Sequence, residues 1–163
     1  MLTVLQEKLG EAHGLAIAAV AAIGRVEERL PGSLLREEID AMRLDADQTR
    51  ARCLELERAF GDETALEILA QATATSEKAA DLAGAWFKAG TGPLAAWSFL
   101  AMGEAAEVAT WAALTSFAAR DGDEAVLELA TWALPVQQRH LQVALEGAVR
   151  LAESGDPAAP RWG

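Results

Sequence analysis

The sequence predicts an all-α fold in which four long helices form a bundle of two antiparallel hairpins, joined by an extra crossover helical segment. Two observations favour this fold. The chain is 52% hydrophobic and rich in Ala, Leu and Glu, which is typical of closely packed helices. Apolar residues also recur at alternating steps of three and four along each long segment, and such a row of inward positions, here called a seam, indicates helices packed on helices.

The length of 163 residues predicts a single domain, residues 1–153, followed by a flexible tail, residues 154–163. A formal net charge of -11 repels phosphate groups, so we expect neither nucleic acid nor an anionic membrane as a partner. The apolar run Leu15 to Ile23 is too short to span a bilayer, and we expect a cytoplasmic protein. The single cysteine, Cys53, falls on a seam and is interpreted as a buried, inert thiol.

The first two helices should form a hairpin around Pro31-Gly32. Helix one should extend to about Leu30, with a seam of Leu2, Leu5, Leu9, Ala12, Ala16, Ala19, Ile23, Val26 and Leu30. Ser33 is a suitable N-cap for helix two, and Gly61 is a suitable C′ residue after it. The seam of helix two reads Leu35, Ile39, Met42, Ala46, Thr49, Cys53, Leu56 and Phe60.

The third segment, capped by Asp62, should extend from Glu63 to about Ala89 and act as the crossover. Its seam is predicted as Leu66, Leu69, Thr73, Ser76, Ala80, Ala83 and Phe87. Because Thr73 to Ser76 contains weak helix formers, we expect either one bent helix or two short ones. Two hairpins with a long crossover connection are the arrangement of ferritin-like folds.

The last two helices should form the second hairpin. Helix four should follow the loop Gly90–Gly92 with Pro93 in its first turn, and it should end at Asp121-Gly122. Its seam is Trp97, Leu100, Glu104, Glu107, Trp111, Leu114 and Ala118. Asp123 should cap helix five, which runs to about Ala152, and Pro135 should kink it. The seam of helix five is Leu127, Ala130, Leu134, Gln137, Leu141, Ala144, Ala148 and Leu151.

Polar residues interrupt these seams at one level of the bundle. Glu107 and Gln137 lie at equal distances on either side of Gly122 and should therefore face each other. Glu104 and His140 lie one turn away from them. Counting in the same way around Pro31-Gly32 places Asp45 and Gln48 at this level as well. His13 should lie close by.

Burying an unpaired carboxylate costs several kcal/mol, so Glu104 and Glu107 need a proton, a donor or a metal. A two-metal bundle needs a Glu from each of two helices and Glu-x-x-His from each of the others. Here helix five offers Gln137-x-x-His140, and helix one offers no inward carboxylate. The sequence therefore favours a metal-free layer without a cofactor. The alternative is iron or manganese held by Glu104, Glu107 and His140, with weaker candidate ligands Gln137, Asp45, Gln48 and His13.

Helices two and four resemble the YciE/YciF-like ferritin-like stress-protein family. Its pattern Glu-x-x-Glu-Ile-Ala-x-Tyr is similar to residues 104–111, which read Glu-Ala-Ala-Glu-Val-Ala-Thr-Trp. Its His-Leu-Glu-Glu-Thr pattern is similar to residues 45–49, although Asp45 and Gln48 replace two of its metal ligands. The resemblance implies a dimeric ferritin-like bundle with a role in stress, and its metal ligands carry over only at Glu104 and Glu107.

Three functions follow as hypotheses. The first is a non-enzymatic bundle with a degenerate two-metal site, acting as a homodimer or through another protein partner. The second is a metal-binding protein or oxidoreductase that uses Glu104, Glu107 and His140. The third is a small-molecule binder that uses the space left by small helix-one residues beside Gly14 and Ile17.

Overall fold

The structure is a computed structural model, and it describes residues 1–30, 32 and 35–158. Within these residues the chain forms five α-helices and no strand, which confirms the all-α fold. A short 3₁₀ turn, Arg58–Phe60, follows the second helix. The helices are α1 (Val4–Glu27), α2 (Arg36–Glu57), α3 (Asp62–Trp86), α4 (Pro93–Asp121) and α5 (Glu124–Glu153).

Local capping residues set most of the helix ends. Thr3 starts α1 with a capping box, in which its hydroxyl accepts from the Gln6 N–H and the Gln6 side chain accepts from the Thr3 N–H. The Asp123 carboxyl accepts from the Val126 N–H and caps α5 as predicted. Pro93 occupies the first turn of α4, also as predicted. Gly122 ends that helix with a φ of 80°, a conformation that glycine adopts without strain.

Two predicted ends differ or cannot be compared. Gly61, rather than Asp62, is the N-cap of α3, and Asp62 is its first helical residue. The predicted turn residue Pro31 and the predicted cap Ser33 lie outside the described residues. Helix α2 begins after Leu35, whose left-handed φ of 60° is unusual for a residue with a branched side chain.

Four helices contact one another in the cyclic order α1, α2, α5, α4, and α3 packs on the outside of α1. Contacts between side chains on adjacent helices show that α1/α2, α2/α5 and α4/α5 are antiparallel pairs. The α1/α2 pair is joined by Glu27–Arg43 and His13–Glu57. The α2/α5 pair is joined by Glu38–Arg150 and Asp45–His140. The α4/α5 pair is joined by Trp97–Ala144 and Glu104–His140. Because α3 lies parallel to α1, it returns the chain along the bundle before α4 begins, as expected of a crossover segment.

Glycine allows α1 and α3 to approach closely. A Cβ atom built on Gly10 would lie closer than 3.0 Å to the carbonyl oxygen of Ile68, and one on Gly14 would collide in the same way with that of Ala72. The two helices therefore contact backbone to backbone at two successive turns. Larger residues at either position would force them apart.

Two apolar clusters fill the interior, one toward each end of the bundle. The first contains Leu5, Leu9, Cys53, Trp111 and Leu114. The second contains Ile23, Ile39, Met42, Trp97 and Leu100. The burial of Cys53 confirms its interpretation as a core thiol, and burial raises the pKa of this thiol, with the Glu57 and Glu107 charges adding to the rise.

The predicted seams differ in how well they describe burial. All seven seam residues of α4 are buried, as are those of α1 from Leu5 to Val26 and those of α2 from Leu35 to Cys53. On α5 the buried face is shifted by about one residue, so that Leu129 and Ala133 are buried while Leu127 and Leu134 are partly exposed. Helix α5 continues without interruption through Pro135.

The predicted seam of α3 is wrong at Leu66 and Leu69, although Ala83 is buried as predicted. Leu66 is 68% exposed and Leu69 is 37% exposed, whereas Ile68 and Ala72 are buried. Because α3 packs chiefly on one neighbour, α1, its buried stripe is narrow and follows the two glycines rather than the largest side chains. Helix α3 is also one continuous helix through Thr73, whose hydroxyl donates to the carbonyl oxygen of Leu69.

By length and composition, one helix among the described residues could cross a membrane. This helix is α1, and 44% of its most apolar stretch is buried inside the bundle. A buried core helix satisfies the same criterion, so the finding is weak support for a membrane span.

The close approach of α1 and α3 predicts opposite effects for two glycine substitutions. Gly14→Ala should lower the free energy of unfolding by about 1–3 kcal/mol, because the added methyl group overlaps the α3 backbone. Gly84→Ala is the matched control, since its Cβ would meet no atom within 4 Å, and it should raise stability by about 0.5–1 kcal/mol. Urea denaturation measures both. Equal stabilisation by the two changes would contradict the packing described here.

Candidate functional site

Four polar side chains form a buried layer between the two apolar clusters, and we call them the polar layer. They are Glu104 and Glu107 from α4 and Gln137 and His140 from α5. Each is at most 3% exposed. The prediction that these residues lie inside the hairpin is confirmed, and the structure brings the His140 Nδ1 to 3.5 Å from Oε2 of Glu104.

His140 connects the layer to the surface. Its Nε2 lies 3.0 Å from Oδ2 of Asp45, and the exposed Arg139 guanidinium donates to the same oxygen at 2.8 Å. Burial alone would lower the pKa of His140, but Glu104 and Asp45 outweigh it and raise that pKa. Burial would likewise raise the pKa of Asp45, but the hydrogen bonds from His140 and Arg139 lower it. The imidazole is therefore held between two acidic groups and favours its charged form.

Glu107 lacks such a partner. Burial raises the pKa of its carboxyl well above the ordinary value, and the neighbouring Glu104 charge adds to the rise. The Trp111 indole N–H opposes this rise, but it forms no hydrogen bond of ordinary geometry with the carboxyl. Glu107 therefore favours its protonated, neutral form in the folded protein.

Several buried oxygens of the layer form no hydrogen bond within the described part of the chain. Three buried oxygens have no hydrogen-bond partner among the described residues, and they are Oε2 of Glu104, Oε2 of Glu107 and Oε1 of Gln137. Among the described residues, Nε1 of Trp111 is a buried donor of this region that also lacks a partner. Buried polar atoms are rarely left unpaired in native proteins, so these oxygens can accept hydrogen bonds from a water or a ligand.

A second polar pair lies in the core between α1 and α2. The Nδ1 of His13 is 2.6 Å from Oε1 of Glu57, and both side chains are buried. His13 is among the predicted candidates but Glu57 is not, because the predicted seam of helix two passes from Cys53 by three residues to Leu56. A step of four residues from Cys53 leads to Glu57 instead, and this spacing could have predicted that Glu57 points inward.

Gln48 is the candidate that the structure excludes from the layer. This residue is exposed, and the prediction that it lies in the polar layer is wrong. The adjacent Thr49 takes the inward position on α2 and donates its hydroxyl to the carbonyl oxygen of Asp45. Successive helix residues point about 100° apart around the helix axis, and on α2 it is Thr49 that faces the interior.

The donor set does not fit a two-metal centre. No three His, Cys, Asp or Glu side chains of the described part of the chain are arranged to hold a metal ion. Asp45 is bonded to Arg139, Gln137 is neutral, and Glu57 is bonded to His13, so the anionic oxygens that two divalent cations need are not brought together. The single-metal set of Glu104, Glu107 and His140 stays a prediction.

Beside the layer, a cavity of about 310 Å³ lies between α1, α3 and α4. We call it the α1/α3/α4 cavity. Ala, Leu, Ile, Phe, Met and Gly residues form most of its wall, and Glu104 and Glu107 are also part of the wall. Arg25 lines it two helical turns beyond Ala18. Ile17 lines the cavity as predicted, but Gly14 does not, because the α3 backbone covers it.

Comparisons of the chain with protein-family models, with curated proteins and with solved structures find no match. The resemblance to the YciE/YciF-like family therefore rests on the sequence motifs and stays a prediction.

The pKa of Glu107 predicts a pH-dependent effect of Glu107→Gln. Above about pH 4.5 the unfolded chain loses this proton while the folded protein keeps it, so wild-type stability falls as pH rises. The glutamine variant lacks this loss, and its advantage should grow by up to about 1.4 kcal/mol per pH unit. Urea denaturation at several pH values measures it, with the exposed Glu77→Gln as control. A pH-independent difference would contradict a neutral Glu107.

The His13–Glu57 pair predicts a non-additive pair of substitutions. His13→Leu should lower the free energy of unfolding by about 3–5 kcal/mol, because it leaves a buried carboxyl without its partner. Adding Glu57→Leu should recover most of that loss, since both polar groups are then removed. Thermal denaturation of the two single variants and the double variant tests this. Additive losses would show that the two side chains are not coupled.

Proposed function

We propose that this chain is a non-enzymatic, ferritin-like binding protein that takes up a small, mainly apolar molecule in the α1/α3/α4 cavity. One observation carries the proposal. Two buried carboxyls, Glu104 and Glu107, line an otherwise apolar cavity and each has an oxygen without a hydrogen-bond partner. An apolar pocket with a few convergent polar groups is the usual form of a small-molecule site.

The shape of the cavity supports binding. Its volume of about 310 Å³ is at the lower end of the range found for ligand pockets, about 300–1,000 Å³. Small α1 residues such as Ala18 and Ala22 form one wall, while Phe99 and Met102 of α4 form another. Because α3 packs chiefly on α1, the cavity lies where α3 and α4 leave space between them.

The chemistry of the wall favours binding rather than catalysis. The Ser76 hydroxyl is the one alcohol among the lining residues, and it donates to the carbonyl oxygen of Thr73. His140 is bonded to Asp45 and lies against Glu104, so its nitrogens are committed to holding the layer. Neither group is positioned as a nucleophile paired with a free base.

The ferritin-like part of the proposal is supported by topology. Two antiparallel hairpins, α1/α2 and α4/α5, are connected by a helix that runs the length of the bundle, which is the connection that ferritin-like folds use. The Glu-x-x-Glu motif of α4 lies at the centre of the bundle, where such folds place their inward carboxyls.

A cavity-filling substitution tests the proposal. N-phenyl-1-naphthylamine, a neutral fluorescent probe, should bind the wild type with one molecule per chain. Ala18→Phe should weaken this binding by about tenfold or more, because the ring occupies the cavity. Ala105→Phe is the matched control on an exposed position outside the cavity, and it should leave binding unchanged.

Two results would contradict the proposal. One is the absence of saturable probe binding to the folded wild type. The other is equal binding by the two phenylalanine variants, with circular dichroism showing that both are folded.

A further inference from the structure

We infer that the ligand of the α1/α3/α4 cavity is an apolar primary amine, whose ammonium group binds between Glu104 and Glu107. This inference rests on the proposed function and adds the chemical class of the molecule. It follows from the hydrogen-bonding balance, the charge and the shape of the cavity.

The cavity presents carboxyl oxygens that can accept hydrogen bonds from a ligand. Glu104 and Glu107 are 1% and 3% exposed, both line the cavity, and each leaves Oε2 unpartnered. An ammonium group has three N–H donors and no acceptor, so it supplies what these oxygens lack. An alcohol has a single O–H donor and would leave part of the set unsatisfied.

In the polar layer, Glu107 is the carboxyl with which a cationic ligand can pair. His140 is the one basic group beside Glu104, and it is shared with Asp45. The Arg139 guanidinium donates to Asp45 from the exposed side and is therefore paired with that carboxylate. Among the described residues no basic group forms an ion pair with Glu107. An ammonium group can take the place of the Glu107 proton and pair with the ionised carboxylate, whereas a carboxylate ligand would be repelled by Glu104.

The shape of the cavity selects a single charge and an apolar body. Lining residues on α1 run from Leu15 to Arg25, a length of about 15 Å along the helix. The wall between the carboxyls and Arg25 is apolar and can hold a hydrocarbon chain or ring. Because Arg25 is itself a cation, the far end disfavours a second ammonium group. A monoamine therefore fits better than a diamine of the same length.

A metal ion fits the same carboxyls less well. The described side chains provide no group of three ligands, and apolar walls offer no further oxygen or nitrogen. An ammonium needs only hydrogen-bond acceptors on one side and tolerates hydrocarbon on the other. The geometry thus favours an organic cation.

The test compares four probes of one length by displacement of N-phenyl-1-naphthylamine and by calorimetry near neutral pH. These are octylamine, 1-octanol, octanoate and 1,8-diaminooctane. Octylamine should bind about tenfold or more tightly than each of the others. Glu107→Gln should reduce this preference, as measured by calorimetry. The exposed Glu77→Gln removes the same charge outside the cavity and should leave the preference unchanged.

The possible outcomes separate the amine assignment from the proposed function. Equal displacement by octylamine and octanol would overturn the amine assignment and leave the proposed function standing. Failure of the naphthylamine probe itself to bind would overturn both. Manganese(II) or iron(II) that stabilises the wild type, blocks octylamine and fails to stabilise Glu107→Gln would identify the cation as a metal and overturn the amine assignment.

Discussion

The constraint on which this structure depends is the burial of Glu104 and Glu107 in the middle of α4. Their helix positions belong to a row that is otherwise apolar, with Trp97 and Trp111 buried above and below them. The two carboxyls are stabilised in different ways. Glu104 meets His140, which is tied to Asp45, whereas Glu107 has no basic partner and is stabilised as the neutral acid. Burial of the two apolar clusters that flank the layer offsets the free-energy cost of burying these polar groups.

Glycine contacts determine where the cavity opens. At Gly10 and Gly14 the α3 backbone rests directly on α1, and no space remains between the two helices. The wall of the cavity on α1 begins at the next residue, Leu15. On the other side of the bundle Gly147 receives the ring of Trp97, whose indole donates to the carbonyl oxygen of Ala144 at 2.5 Å. These close contacts fix the positions of the helices around the α1/α3/α4 cavity, and the same packing leaves the cavity between them.

Sequence reasoning predicts most of this fold because each bundle helix has several neighbours and a wide apolar face. Counting from the turn at Gly122 is sufficient to place Glu104 near His140, since antiparallel helices keep a constant register. It fails on α3, where one neighbour and two glycines decide burial instead of side-chain size. It also fails at Glu57, because steps of three and four are equally helical. The cavity was only partly predictable, since it depends on small residues from three helices at once.

The position of α1 has a consequence for how the chain folds. The α4/α5 hairpin forms contacts between neighbours in sequence, so its loop closure is fast and local. Helix α1 contacts α2, α3 and α4, and its contacts with α3 and α4 join distant parts of the chain. Docking of α1 on α3 and α4 therefore closes longer loops than the formation of either hairpin does, at a higher cost in entropy. Since α1 forms one wall of the cavity, a bound molecule would slow the undocking of this helix, and residence of the ligand would prolong the lifetime of the native state.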